Sequence, residues 1–434
     1  MTNDVSSRPP SRRPEIRVES IRPLKSSLIC SITYDTKLEA HFNSSVFYFN
    51  YDFDVEKTPA GILAIPVLGV LAPLGWVTGA TVVAKEVDSE YVSSLEKVAR
   101  IMKETYPTAN ISSALDCIGV DTPWPKDEGR RCLLYSGGVD STTSLLRNLG
   151  PDLSLMSVRG TPDLRLWEGE FWERVHPKLS SFVRSLGVKM HVVETNAMDV
   201  VNFEELNRVL EDSFSSGWWE NLSHGLILLS LCAPYTYEYR ISKMMIASSY
   251  SQSLQRPWGS SPASDQAVAW GGLTTLHDSF DLRRMEKISG VLVPYMAGHP
   301  GAVQLRVCTG ERDARLASGT LNCGDCRKCV RTEMVLVWAG VDPAECGFPA
   351  PDFAEIKRGL ISGRLRGTEA YSLRAIHAER KPLKPDLVAR YPEIDGFFNW
   401  FYGWEIPDRT KKGGVFRRLA PEGSRRRRVI EAIR

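Results

Sequence analysis

Cys132-Leu133-Leu134-Tyr135-Ser136-Gly137-Gly138-Val139-Asp140-Ser141-Thr142-Thr143-Ser144-Leu145-Leu146 reads as strand, tight loop and helix. Cys132 to Tyr135 are apolar and strand-like, Gly137-Gly138 force a turn, and leucines follow at helical spacing. The loop Ser136 to Ser141 therefore opens a helix, where free backbone N–H groups and the positive end of the dipole favour an anion. Two glycines let the backbone approach a phosphate closely, and Ser136 and Ser141 add hydroxyl donors. Asp140 suits a ligand or water-holder for a phosphate-bound Mg²⁺. No Lys follows as in G-x-x-x-x-G-K-[ST], so this is not a Walker loop. Ser136, Gly137, Gly138, Val139, Asp140 and Ser141 are the candidate phosphate-binding residues. Ser136, Asp140 and Ser141 are the candidate catalytic ones. The bland alternative is an ordinary Ser/Gly turn between a strand and a helix.

Strands and helices alternate downstream of the loop. Strands are expected at Leu153 to Val158, Met190 to Glu194 and Lys243 to Ser248, with a long helix at Glu168 to Leu186 and helical segments through Ala233. This rhythm predicts an α/β fold with a doubly wound parallel sheet, whose ligands bind at the carboxyl ends of the strands. Polar residues that follow later strands, Ser249, Ser260, Asp265 and Asp278, are candidate substrate contacts; Ser and Asp also serve as ordinary caps and turns. His224 reads equally as a capping residue, and His41 as structural.

The region upstream has a different texture. Ile16 to Ile21, Ser27 to Tyr34, Ser45 to Tyr51 and Thr81 to Val87 look like strands, and Ser89 to Glu104 like a helix. Thr58 to Ala84 carries no charge and is long enough to span a bilayer. Prolines and glycines punctuate it, so buried strands joined by turns are expected there in place of a membrane span. The expected domains are a disordered 1–14, a β-rich 15–125, a nucleotide domain at 130–340 and a helical extension at 341–434.

Cys323-Gly324-Asp325-Cys326-Arg327-Lys328-Cys329 gives C-x-x-C-x-x-C, and Cys308 lies fifteen residues upstream. Four thiolates at these spacings can close a tetrahedral site, so Cys308, Cys323, Cys326 and Cys329 are candidate ligands for a structural Zn²⁺. A [4Fe–4S] cluster is the competitor. The other five of the nine cysteines are scattered and read as small buried hydrophobes.

The loop S-G-G-V-D-S resembles the PP-loop of ATP pyrophosphatases, which cleave ATP between the α and β phosphates. Together with C-T-G … C-G-D-C-R-K-C-V-R it resembles the 7-cyano-7-deazaguanine synthase family, over about Arg131 to Thr332. The resemblance places ATP on Ser136, Gly137, Gly138, Asp140 and Ser141, and a structural zinc on Cys308, Cys323, Cys326 and Cys329. It implies a carbon–nitrogen ligase that adenylates a substrate carboxylate or carbonyl, releasing pyrophosphate before ammonia or an amine displaces AMP. The chain departs from the synthase in length: about 130 residues precede the loop and about 100 follow the zinc motif. Elongated relatives belong to anti-phage defence operons and natural-product clusters, which suggests a small-molecule, protein-borne or nucleic-acid-borne carboxylate and an operon partner. No glutaminase segment is visible, so the nitrogen is expected from free ammonia or a partner. Two alternatives stay open: a tRNA-thiolating enzyme using Cys232 or Cys346, and a nucleotide-binding subunit of a larger assembly.

The remaining features bound the function without deciding it. The net charge of +2 offers no global argument for nucleic acid, and 43% hydrophobic with 24% charged residues is ordinary for a globular protein. From Lys411 to Arg434 nine basic residues face only Glu422 and Glu431, a run that could hold phosphates and is more often a solvated tail. Phe397 to Trp404 is unusually aromatic and is expected to dock on the core. No signal peptide is apparent, and a cytoplasmic location is expected.

Overall fold

The computed structural model describes residues 12–122, 129–214, 216–308, 319–362 and 368–406. Most of the segment expected to be disordered, residues 123–128 around the expected boundary between the β-rich and nucleotide domains, and the basic run from Lys411 lie outside them. The chain divides into two compact units, Met1–Arg306 and Val307–Arg434.

The first unit is built on a ten-stranded sheet, β1 (Glu15–Leu24), β2 (Ser27–Tyr34), β3 (Val46–Tyr51), β4 (Thr81–Asp88), β5 (Leu115–Val120), β6 (Arg131–Leu134), β7 (Leu153–Arg159), β8 (Lys189–Thr195), β9 (Lys243–Ala247) and β10 (Thr274–Asp278). Their spatial order is β10-β9-β6-β7-β8-β3-β2-β1-β4-β5. The five strands from β6 onward are mutually parallel. From β6 the chain winds outward through β7 and β8, then returns to lay β9 and β10 on the other side. The two directions diverge between β6 and β9, the switch point where such sheets open a crevice. The coarse expectation of a helix-flanked, mostly parallel α/β sheet therefore holds.

The helices needed below are α1 (Ile65–Thr78), α2 (Ser89–Thr105), α3 (Val139–Arg147), α4 (Gly169–Ser185), α5 (His224–Ser230) and α6 (Arg284–Lys287). α6 runs on through a π turn, Ile288–Leu292, into Val293–Gly298.

The expected separate N-terminal β domain is corrected by the strand pairing. β3 joins β8 antiparallel through Phe49↔Thr195, Asn50↔Glu194 and Tyr51↔Val193. The Asn196 side chain continues the ladder, accepting from Tyr48 N at 2.8 Å and donating to Val46 O at 3.0 Å. Alternate residues Leu28, Cys30 and Ile32 of β2, and Phe47, Phe49 and Tyr51 of β3, are buried, as a period of two requires. One hydrophobic core runs from Ile16 to Leu273 through both halves.

The uncharged stretch Thr58 to Ala84 is a second correction. It forms helices Ala60–Leu63 and α1, followed by β4, where buried strands were expected. Pro66 falls in the first turn of α1, where no N–H is needed, and Gly79 ends the helix at φ +70°. Ile65 to Trp76 are buried on every side, so the sequence carries no amphipathic period to read. α1 crosses α5 so closely that a Cβ on Gly69 would lie 2.3 Å from Ser230 Cβ. No helix among the described residues is long and apolar enough to cross a membrane.

The second unit is helical: α7 (Arg327–Trp338), α8 (Phe353–Ser362), α9 (Thr368–Ala378), α10 (Pro385–Arg390) and α11 (Ile394–Gly403). The aromatic stretch lies on α11, where Phe397, Phe398 and Phe401 are buried inside this unit and Phe397 packs 5.1 Å from the Phe353 ring. The boundary at Arg306 also separates the four cysteines from the sheet, whereas 130–340 was expected as one domain.

Candidate functional site

The loop between β6 and α3 stands at the switch point. Gly137 adopts φ +75°, and a Cβ there would meet Leu179 Cδ2 at 2.6 Å, so both backbone and packing demand glycine. Gly138 is different. Its φ −75° and ψ 170° suit any residue, and a Cβ would find only Ser136 Oγ at 3.4 Å and Arg306 O at 3.6 Å. Neither conformation nor packing within the protein requires this second glycine. α3 begins at Val139, and its N-cap residue, Gly138, supplies no side-chain cap. Ser136 and Ser141 place their hydroxyls 3.2 Å apart, and Ser136 is exposed while Ser141 is buried.

Arg306 fixes the loop from beneath. Its backbone N–H donates to Gly137 O at 2.8 Å, and its Nε donates to Ser136 O at 3.0 Å. Nη1 reaches Asp163 O at 3.0 Å. Two loop carbonyls, Gly137 O by the backbone N–H and Ser136 O by the guanidinium, are thus taken up by Arg306 and not left to repel an anion. That leaves a face suited to an anion.

Two further cations complete the site. Arg284 Nη2 lies 2.7 Å from Asp140 Oδ2, and Lys287 Nζ lies 2.8 Å from Asp140 Oδ1. Lys287 is 1% exposed and also donates to Ser248 O, at the carboxyl end of β9. The ammonium thus bridges the loops on either side of the switch point. A buried lysine needs such partners, because an unpaired buried charge is costly.

The four polar candidates fare differently. Ser249 is exposed, next to the Ser248 that anchors Lys287. Ser260 and Asp265 are buried together: Asp265 Oδ2 accepts from Ser260 Oγ at 2.6 Å and from His277 Nδ1 at 2.7 Å. They brace the β9–β10 side and present no open face. Asp278 accepts from Ser279 Oγ at 2.6 Å. His224 opens α5, with its ring 5.1 Å from Trp219 and 5.9 Å from Trp258. Burial drives the Cys232 thiol well above its ordinary range and the Cys346 thiol to about 12.

In the second unit the Sγ atoms of Cys308, Cys323, Cys326 and Cys329 all lie within 4.8 Å of one another. The separations Cys308–Cys326, Cys323–Cys329 and Cys326–Cys329 are 3.9, 3.8 and 3.4 Å. A tetrahedron with metal–sulfur bonds of about 2.3 Å has edges of about 3.8 Å, so the set could hold a metal ion such as zinc. Asn322 orders the approach: Oδ1 accepts from Val307 N and Cys308 N, and Nδ2 donates to Gly347 O. Cys326 N–H points at Cys323 Sγ, 3.4 Å away. Glu333, one helical turn beyond Cys329, is 1% exposed and neither carboxyl oxygen has a hydrogen-bond partner. Burial, with Cys326 nearby, holds its pKa well above the usual carboxylate range.

Arg284, Lys287 and Arg306 are functional candidates that the sequence reading missed. Their only local signal is a pair of cations three residues apart shortly after a polar strand end, which nothing in the chain ties to a loop some 145 residues earlier. No family model, curated protein or solved structure matched this chain.

Proposed function

We propose that the first unit is an ATP-dependent ligase of the PP-loop kind, forming AMP and pyrophosphate. The observation that carries this reading is the meeting, at the switch point, of an uncapped glycine-rich helix start with Arg284 and Lys287. That arrangement suits the β and γ phosphates. A carboxylate oxygen of the substrate attacks the α phosphorus, the bond to the bridging oxygen breaks, and pyrophosphate leaves. An acyl-adenylate results. Ammonia or an amine then attacks the acyl carbon, expelling AMP and yielding an amide after loss of a proton. The chain's own work is positioning and charge neutralisation. Arg284 and Lys287, both paired with Asp140, would offer their charge to phosphate oxygens. Asp140, with Ser136 and Ser141 alongside, would hold Mg²⁺. Mg²⁺ when bound supplies further neutralisation of the phosphates.

The same resemblance extends to the four-cysteine centre, proposed as a closed structural zinc site with no position left for substrate. Sulfur transfer has less support, because the thiols it would need, Cys232 and Cys346, are buried and protonated at neutral pH. The test is product analysis with ATP and a panel of small-molecule and macromolecule-borne carboxylates. AMP with pyrophosphate is expected, and ADP with phosphate would refute the proposal.

A further inference from the structure

Ser279 stands one residue past β10 at φ +60°, one of three non-glycine residues in the left-handed region among those described. It is 4% exposed. Glycine would adopt this conformation without the steric penalty that a Cβ brings, so a serine here invites the question of what its hydroxyl does. That hydroxyl donates to Asp278 Oδ2 at 2.6 Å, lies 3.2 Å from Ser144 Oγ, and accepts from Arg147 Nη1 at 3.2 Å. Arg147 continues to Asp281 with two bonds of 2.8 and 3.1 Å.

These contacts join two elements that the site needs at a fixed separation. Ser144 and Arg147 belong to α3, whose N-terminus is the glycine loop. Ser279 and Asp281 belong to the turn that delivers α6 with Arg284 and Lys287. The turn is tied to β9 as well, since Ser248 N–H donates to Asp278 O at 2.9 Å and Ser248 O accepts from Lys287. This corner thus braces the loop helix against the segment carrying the two cations, alongside the direct pairing of Asp140 with Arg284 and Lys287.

We infer that Ser279 is a positioning residue, whose hydroxyl locks the 278–281 turn onto the loop helix and sets the reach of Arg284 and Lys287 to the bound phosphates. The inference rests on the nucleotide reading proposed above. It also explains why the strained corner is not glycine: a glycine would relax the backbone and lose the lock.

The test compares Ser279→Gly and Ser279→Asn with the parent full-length protein. Ser279→Gly keeps the left-handed backbone and removes the hydroxyl; Asn tolerates that backbone and restores a polar side chain. Calorimetry with inorganic pyrophosphate plus Mg²⁺, and separately with AMP, reads the two ends of the nucleotide site, and thermal melting reads the fold. Ser279→Gly is expected to melt like the parent, to bind pyrophosphate roughly tenfold or more weakly, and to bind AMP unchanged, with Ser279→Asn recovering part of the loss. If Ser279→Gly binds pyrophosphate like the parent, the inference is overturned. It is equally overturned if both affinities fall together with the melting temperature, which would mean the hydroxyl supports only the fold. A parent that binds no pyrophosphate at all would overturn the nucleotide reading and this inference with it.

Discussion

Replacing Gly138 by alanine is expected to spare the fold and impair nucleotide binding. At φ −75° and ψ 170° the new methyl meets Ser136 Oγ at 3.4 Å and Arg306 O at 3.6 Å, both ordinary contacts. Alanine stabilises by about 0.4–1 kcal/mol through a less flexible unfolded chain, and costs about 0.5–1 kcal/mol as a poorer N-cap. The two nearly cancel, so the melting temperature should stay close to the parent's. On the proposed nucleotide reading, the methyl nonetheless stands in the path of a phosphate to the loop N–H groups. Losing one charge-assisted hydrogen bond, about 1.5–3 kcal/mol, weakens binding roughly 10- to 100-fold. Gly137→Ala is the contrasting control. Its φ of +75° and the 2.6 Å approach to Leu179 Cδ2 predict a loss of about 2–4 kcal/mol of stability. Calorimetric dissociation constants for ATP with Mg²⁺, alongside thermal melts, decide the matter. A Gly138→Ala protein that binds ATP like the parent, or one that fails to fold, would refute the assignment of this glycine to ligand approach.

Lys287→Met should lower pyrophosphate release by about 10²–10³-fold, since one preorganised cation is lost from the phosphates; undiminished release would remove Lys287 from the site. The purified protein is expected to be colourless with about one zinc per chain, and Cys326→Ser or chelation to lower the melting temperature of the second unit. Brown protein absorbing in the visible would instead identify an iron–sulfur cluster and shift the functional reading towards sulfur transfer. Glu333→Gln should stabilise that unit at neutral pH. A carboxyl whose folded pKa is raised costs nothing below its unfolded value of 4.5 and progressively more as pH climbs towards the folded one. The gain from glutamine should therefore grow between pH 6 and pH 8, by at most about 1.4 kcal/mol per unit. A variant that is less stable at both pH values would show that the carboxylate serves a partner.

How legible the molecule was depends on how local each signal is. Ser136 to Ser141 could be read because strand, turn and helix start fall within ten residues, and the cysteines because three of the four ligands lie within seven. Strands β1 to β4 and β7 to β9 announced themselves by alternation or β-branched runs. α1 did not, because a helix buried on all sides has no polar face to set a period, and Pro66 and Pro73 suggested breaks. The edge strand β5 escaped notice and β10 was implied only by the polar residues at its end; one carries Asp116 and Gly119, the other His277 and Asp278, so neither shows an apolar run. Arg284, Lys287 and Arg306 were invisible for a different reason. Their meaning comes from strand order, which brings residues 144 to 170 positions away from the loop into contact with it.

The joint between β3 and β8 also decides where the sheet has its rims. A parallel five-stranded sheet ending at β8 would offer that strand's open backbone to any extended peptide, as exposed edges do. Here the N-terminal strands occupy it. Among the described residues, strand addition is left with two rims, β10 and β5, separated by nine strand spacings, roughly 43 Å. The β10 rim runs into the Asp278–Ser279 corner beside the candidate site. The β5 rim stands at the far end of the sheet from it.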